Sequence, residues 1–181
     1  MAKNYAVVRT DLLAGTDVRS KLVSVRYAPS GTATAIENGN VVKLGALEAV
    51  DADHGVYQRE IFAGATPAAN DALSDIVLIA TPELTYKVDE KPLDDFRNEA
   101  GRTARGYRLH NGDIFSVTKA ALDGASTPVV GDVVELKAGT KLNVVAAATG
   151  ATSGSTVVGK IHHIETVGVY TFYAILVTAN V

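Results

Sequence analysis

A chain of 181 residues, 47% apolar and only 20% charged, makes one domain or two small ones and is poor in charge for its size. A net charge of −3 gives no basic footprint for nucleic acid or an anionic membrane, and the absence of cysteine excludes disulfides, thiolate metal sites and cysteine catalysis. No run approaches the ~20 apolar residues of a helical bilayer span.

In chain order, residues 1–28 carry Lys3, Arg9, Asp11, Asp17, Arg19, Lys21 and Arg26 among short apolar runs, with Tyr5, Val7 and Leu12 suited to burial. Two readings stand level: an extended N-terminal arm laid on another surface, or a first strand with a connecting loop. Turn signals at Pro29-Ser30-Gly31-Thr32 and Asn38-Gly39 precede a strand candidate, Val41 to Leu47. Gly55 to Phe62 reads as a further strand and Ala63 to Ser74, around Pro67, as a loop or a single helical turn. Asp75 to Thr81 is a continuous apolar run of strand length, which predicts a strand buried on both faces.

One short helix is expected near 92–100, with Pro92 in its first turn, Asp94 and Asp95 at the positive end of its dipole, and Gly101 ending it. Tyr107 to Leu109, followed by Asn111-Gly112 and an alternating run from Ile114, predicts a hairpin. Beyond residue 121 the chain is strand after strand: Val133 to Ala138, Lys141 to Val145, then Thr156 to Thr166 and Val169 to Thr178 across Gly168. A small-residue loop, Ala146 to Ser155, interrupts them. Asn38 to Leu44 and Val130 to Leu136 form a faint repeat, each a Gly-polar turn before Val-Val-charged-Leu. The residues therefore argue a mainly β chain, an antiparallel barrel or sandwich with one short helix. They divide it into an arm (1–28), a first β-rich region (29–120) and a C-terminal barrel-like region (121–181), the last two readable as one continuous domain.

Chemistry is sparsely signalled. Gly154 to Lys160 has the spacing of a phosphate-binding loop, but Ile161 stands where the magnesium-binding hydroxyl belongs, and a strand follows instead of a helix. His162 and His163 are adjacent, so a regular strand points them to opposite faces and away from a shared metal. His54 and His110 have no metal-ligand spacing with a carboxylate. Asp89, Glu90, Asp94, Asp95 and Glu99, followed by Arg97, Arg102, Arg105 and Arg108, suit salt bridges within the fold or between subunits better than paired acid–base catalysis. No catalytic serine signature is present. No enzyme activity and no cofactor or metal is expected.

Three stretches carry a resemblance: Pro92 to Gly101, Arg105 to Leu109 with Asn111 to Val117, and Val130 to Leu136. They look like head structural proteins of tailed bacteriophages, and the last is similar to small β-rich capsid decoration (cement) proteins. The likeness covers residues 90 to 181. It implies a β-tulip-like fold and a virion protein, made in the host cytoplasm, that binds the outer surface of an assembled capsid, with the major capsid protein as partner and a homotrimer as the state. On this reading Tyr5, Arg9 and Arg19 of the arm contact the capsid, while Tyr170, Phe172 and Tyr173 serve core or subunit packing. The alternative is a head-fibre, tail or cell-surface module that recognises a receptor or glycan through the loops Ala63–Ser74 and Ala146–Ser155.

Overall fold

The computed structural model describes residues 5–9, 21–48, 60–83 and 93–178. Among these the chain is mainly β, as its residues predict. Eleven strands form two sheets. The first is a closed five-stranded barrel of β1 (Leu22–Tyr27), β2 (Val41–Leu47), β3 (Ile61–Ala65), β4 (Ile76–Ile79) and β5 (Ala104–Arg108), in the order β1-β3-β2-β4-β5. The second is an open sheet of β6 (Ile114–Thr118), β7 (Leu122–Gly124), β8 (Val133–Glu135), β9 (Leu142–Val145), β10 (Val157–Val167) and β11 (Tyr170–Val177), in the order β6-β11-β10-β8-β9-β7. Pairing is antiparallel except for β1 with β3 and β7 with β9.

Strand β4 joins the two sheets into one packed body. Successive side chains of a strand face opposite ways. Here Val77 and Ile79 fill the barrel with Val25, Tyr27, Ile36, Val42 and Ala104. Ile76, Leu78 and Ala80 leave the barrel's outer side and pack with Phe115, Val117, Leu136, Leu142, Ile161 and Ile175 of the open sheet. All four β4 residues are fully buried, which explains a run without alternation. Backbone bonds tie the sheets further: Val41 N–H donates to Thr140 O (2.7 Å) and Thr156 N–H to Ala69 O (2.8 Å).

Several expectations shift. Residues 22–27 are a barrel strand, so the arm expected over 1–28 ends in the fold. The closed barrel lies before residue 109, and the 120/121 boundary falls inside the open sheet. The helix expected near 92–100 is a single 3₁₀ turn, Leu93–Asp95. Asn98 pairs its backbone with Ile36 in both directions, and its buried amide donates to Ile36 O, so the chain leaves helical geometry there. Asn111-Gly112 does turn the chain, with Gly112 at φ 90°, but β5 and β6 do not pair. Tyr107 stays in the barrel against Leu22 and Leu78, while β6 pairs with β11. The strand expected over Gly55 to Phe62 lies largely outside the described residues. Ala63 and Ala65, expected in a loop, continue β3. Small side chains suit that place, since a Cβ on Gly64 would meet Val25 Cγ2 at 2.9 Å.

The long β10–β11 hairpin closes through Gly168 and Val169, with Val167 opposite Tyr170. Gly168, at φ 62°, takes the positive-φ position that two-residue hairpin loops demand. Gly159 lies so close to β11 that a Cβ would stand 2.0 Å from Leu176 O. Gly159→Ala is therefore expected to cost about 1–3 kcal/mol, as overpacking does, and the loss should appear in a urea titration.

Candidate interaction surface

Among the described residues the hairpin tip carries the most exposed large apolar side chain, Val169 at 88%, with Val167 half-exposed beside it. The tip lies against two other segments. Residues 5–9 run along the free edge of β6: Val8 bridges Val117, Arg9 N–H donates to Ser116 O (2.9 Å), and Thr118 N–H donates to Val7 O (2.9 Å). This pairing occupies a sheet edge and buries Ala6, Val7 and Val8 almost completely. The 3₁₀ turn supplies the other wall, with Leu93 partly exposed and Asp94 O accepting from Tyr5 N–H (2.8 Å).

Tyr170 is the hinge pin of this region. Its hydroxyl donates to Asp94 Oδ1 (3.0 Å), and its ring lies 6.1 Å from Phe172. Burial, and then the Asp94 carboxylate, pushes the phenol above its ordinary pKa, which keeps it a donor. Arg9 sits 5.6 Å over Phe172 and pairs with Glu165 at 2.8 Å. Arg97 lies 5.4 Å over Tyr5 and is held by Glu99 at 3.1 Å. Two shallow grooves flank Tyr170: one of about 370 Å³ is lined by Val7, Leu93, Val167 and Phe172, and one of about 230 Å³ by Tyr5, Thr118, Lys119 and Val169. Tyr170→Phe is expected to cost about 1 kcal/mol, one hydrogen bond's worth, read from thermal unfolding.

Of the residues expected at an interface, Tyr5, Arg9, Tyr170 and Phe172 therefore meet in one region. Tyr173 points the other way, into the core with Ile175 and Val177. Arg19 lies outside the described residues, as do Asp89 and Glu90. The exposed valines of the tip and Leu93 were not among the expected contacts; Val167-Gly168-Val169, apolar residues around a turn glycine, is the signal that marks the tip.

The loop 146–155 is held from beneath. Glu135, 1% exposed, accepts from Asn143 Nδ2 (2.8 Å), Thr152 N–H (2.7 Å) and Thr152 Oγ1 (2.6 Å). Asp132, also buried, accepts from Val129 N–H and Ala147 N–H. In the faint repeat, Gly39 and Gly131 both take positive φ before β2 and β8, and Asn40 and Asp132 are both buried. The segment 154–160 holds no phosphate cradle, because β10 begins at Val157 and Gly159 is pressed against β11. His110 Nδ1 lies 3.8 Å from Asp113 Oδ2, but Asp113 also pairs with Lys21 and caps the turn through His110 N–H. Among the described residues no group of three or more histidines and carboxylates is placed to hold a metal, and no helix is long and apolar enough to cross a membrane. Comparison with protein-family models, with curated proteins and with solved structures finds no match to this chain.

Proposed function

We propose that the chain is a virion structural protein that coats the outside of a tailed-phage capsid and stiffens it by bridging capsid subunits. The observation that carries this reading is the apolar hairpin tip, Val169 with Val167 and Leu93, presented on a rigid two-sheet body. An exposed apolar cluster suits a protein partner, and of the exposed apolar side chains, which also include Leu47, Val129 and Val130, Val169 is the most exposed among the described residues. Modest burial per copy is sufficient on a shell, because many copies act together. The resemblance of residues 90 to 181 to phage head proteins points the same way, with the major capsid protein as partner and a trimer as the assembly.

The tip offers a cleaner test than the arm, since deleting residues 5–9 removes the buried Ala6, Val7 and Val8. The double variant Val167→Asp, Val169→Asp is expected to fold, because Val169 is exposed and Val167 half-exposed and neither belongs to a core cluster, and to lose at least roughly tenfold in capsid affinity, ~1.4 kcal/mol. Unchanged retention on sedimenting capsids would remove the tip from the interface. A second reading, receptor or glycan recognition, draws on the loop 146–155. Its exposed residues are anchored through Glu135 and Asp132, and a rigidly mounted loop suits recognition. A glycan array would reveal it.

A further inference from the structure

A shift of register along β10 leaves two adjacent histidines exposed where a regular strand would turn one of them inward. Along β10 the register against β11 pairs Ile161 with Ile175 and then His163 with Ala174, so two residues of β10 occupy one step of β11. Ile161 belongs to the core and Ile164 packs against it, three residues apart, while His162 and His163 between them are both exposed. Both histidines therefore stand on the solvent side of the sheet, since a bulge places its two residues opposite a single partner. The small Ala174 lies across from them, leaving the space above the sheet open.

We propose that His162 and His163 form a bidentate surface site for a late divalent transition-metal ion, with water in the remaining positions. Imidazole is a borderline ligand that suits copper, nickel and zinc, and for such a site affinity rises through nickel to copper and falls again at zinc. Hard cations that demand oxygen, such as magnesium, are poor occupants. The surroundings set the site's strength. Lys160 flanks it on the same strand as an exposed cation, and Glu165, two residues beyond His163, is held by Arg9. No third histidine or carboxylate completes the set among the described residues, so the ion is exchangeable.

The test titrates the full chain with CuCl2, NiCl2, ZnCl2 and MgCl2 by calorimetry, alongside His162→Ala, His163→Ala and His110→Ala. One Cu2+ per chain is expected, with weaker Ni2+ and Zn2+ and no Mg2+. Either of the two bulge variants should lose roughly a hundredfold, as when one arm of a linked pair is removed, and His110→Ala should bind as the parent does. Wild-type protein adds an independent readout: substoichiometric Cu2+ should broaden the NMR signals of both bulge imidazoles together, ahead of His110. Full affinity in either single bulge variant, or broadening of one bulge imidazole alone, would overturn the shared site.

Discussion

Leu78→Ala is expected to lower the free energy of unfolding by about 4 kcal/mol, near the upper end for deletion of a buried leucine. Its side chain is fully buried between the barrel and the open sheet, where Phe115, Val117, Leu136 and Ile175 belong to the same cluster. The consequence reaches beyond local packing. Because β4 contributes alternate residues to two cores, loss of Leu78 weakens the junction while Ile79 keeps its place in the barrel. Ile79→Ala should cost a similar amount from the other side. Both variants should unfold in one transition, with tyrosine fluorescence and circular dichroism coincident in urea. Separate transitions for the two spectroscopic probes would show that the sheets are independent units.

Removing Glu135 is the second large effect. Its carboxylate is buried, no ion pair holds it among the described residues, and three donors from Asn143 and Thr152 satisfy it. Burial alone would push the carboxyl up; the hydrogen bonds outweigh that and hold it below the ordinary carboxylate value. A folded-state pKa below the unfolded one means stability that is fully present above the unfolded value and is lost as pH falls through the folded value. Glu135→Ala leaves the donors without a partner, at about 3 kcal/mol or more in total. Glu135→Gln keeps the shape but turns an amide against one set of donors, so it too should destabilise and should flatten the acid limb of stability. Urea midpoints from neutral pH down to about pH 3 check both. A parent and a Gln variant with the same acid slope would contradict this role. Hydrogen exchange in the loop 146–155 should rise in both variants, since Thr152 and the loop lose their anchor.

What could be read from the residues follows from how local the causes are. The β4 segment was legible because a strand buried on both faces cannot alternate, and Ile76 to Ile79 does not. The β10–β11 hairpin was legible because Gly168 marks the turn between two long β-branched runs. Turn chemistry at Asn111-Gly112 was equally clear, yet it specifies a reversal and not a partner. Whether β5 pairs with β6 depends on Leu22 and Leu78, distant in sequence, which claim Tyr107 for the barrel. The helix near Pro92 failed for a related reason: its acidic first turn forms, but the backbone of Asn98 is committed to Ile36, sixty-two residues away. At the candidate surface, aromatic and arginine content marked Tyr5, Arg9, Tyr170 and Phe172. The spacing could not show that Tyr173 faces inward or that a register shift leaves both His162 and His163 exposed.

The measurement that tests the central claim most directly is cosedimentation of the purified protein with capsids lacking it, with its solution mass taken by light scattering. The account predicts saturable binding at a fixed ratio to capsid protein, by a trimer, lost in the double variant at Val167 and Val169. A monomer that stays in the supernatant at every concentration would contradict it.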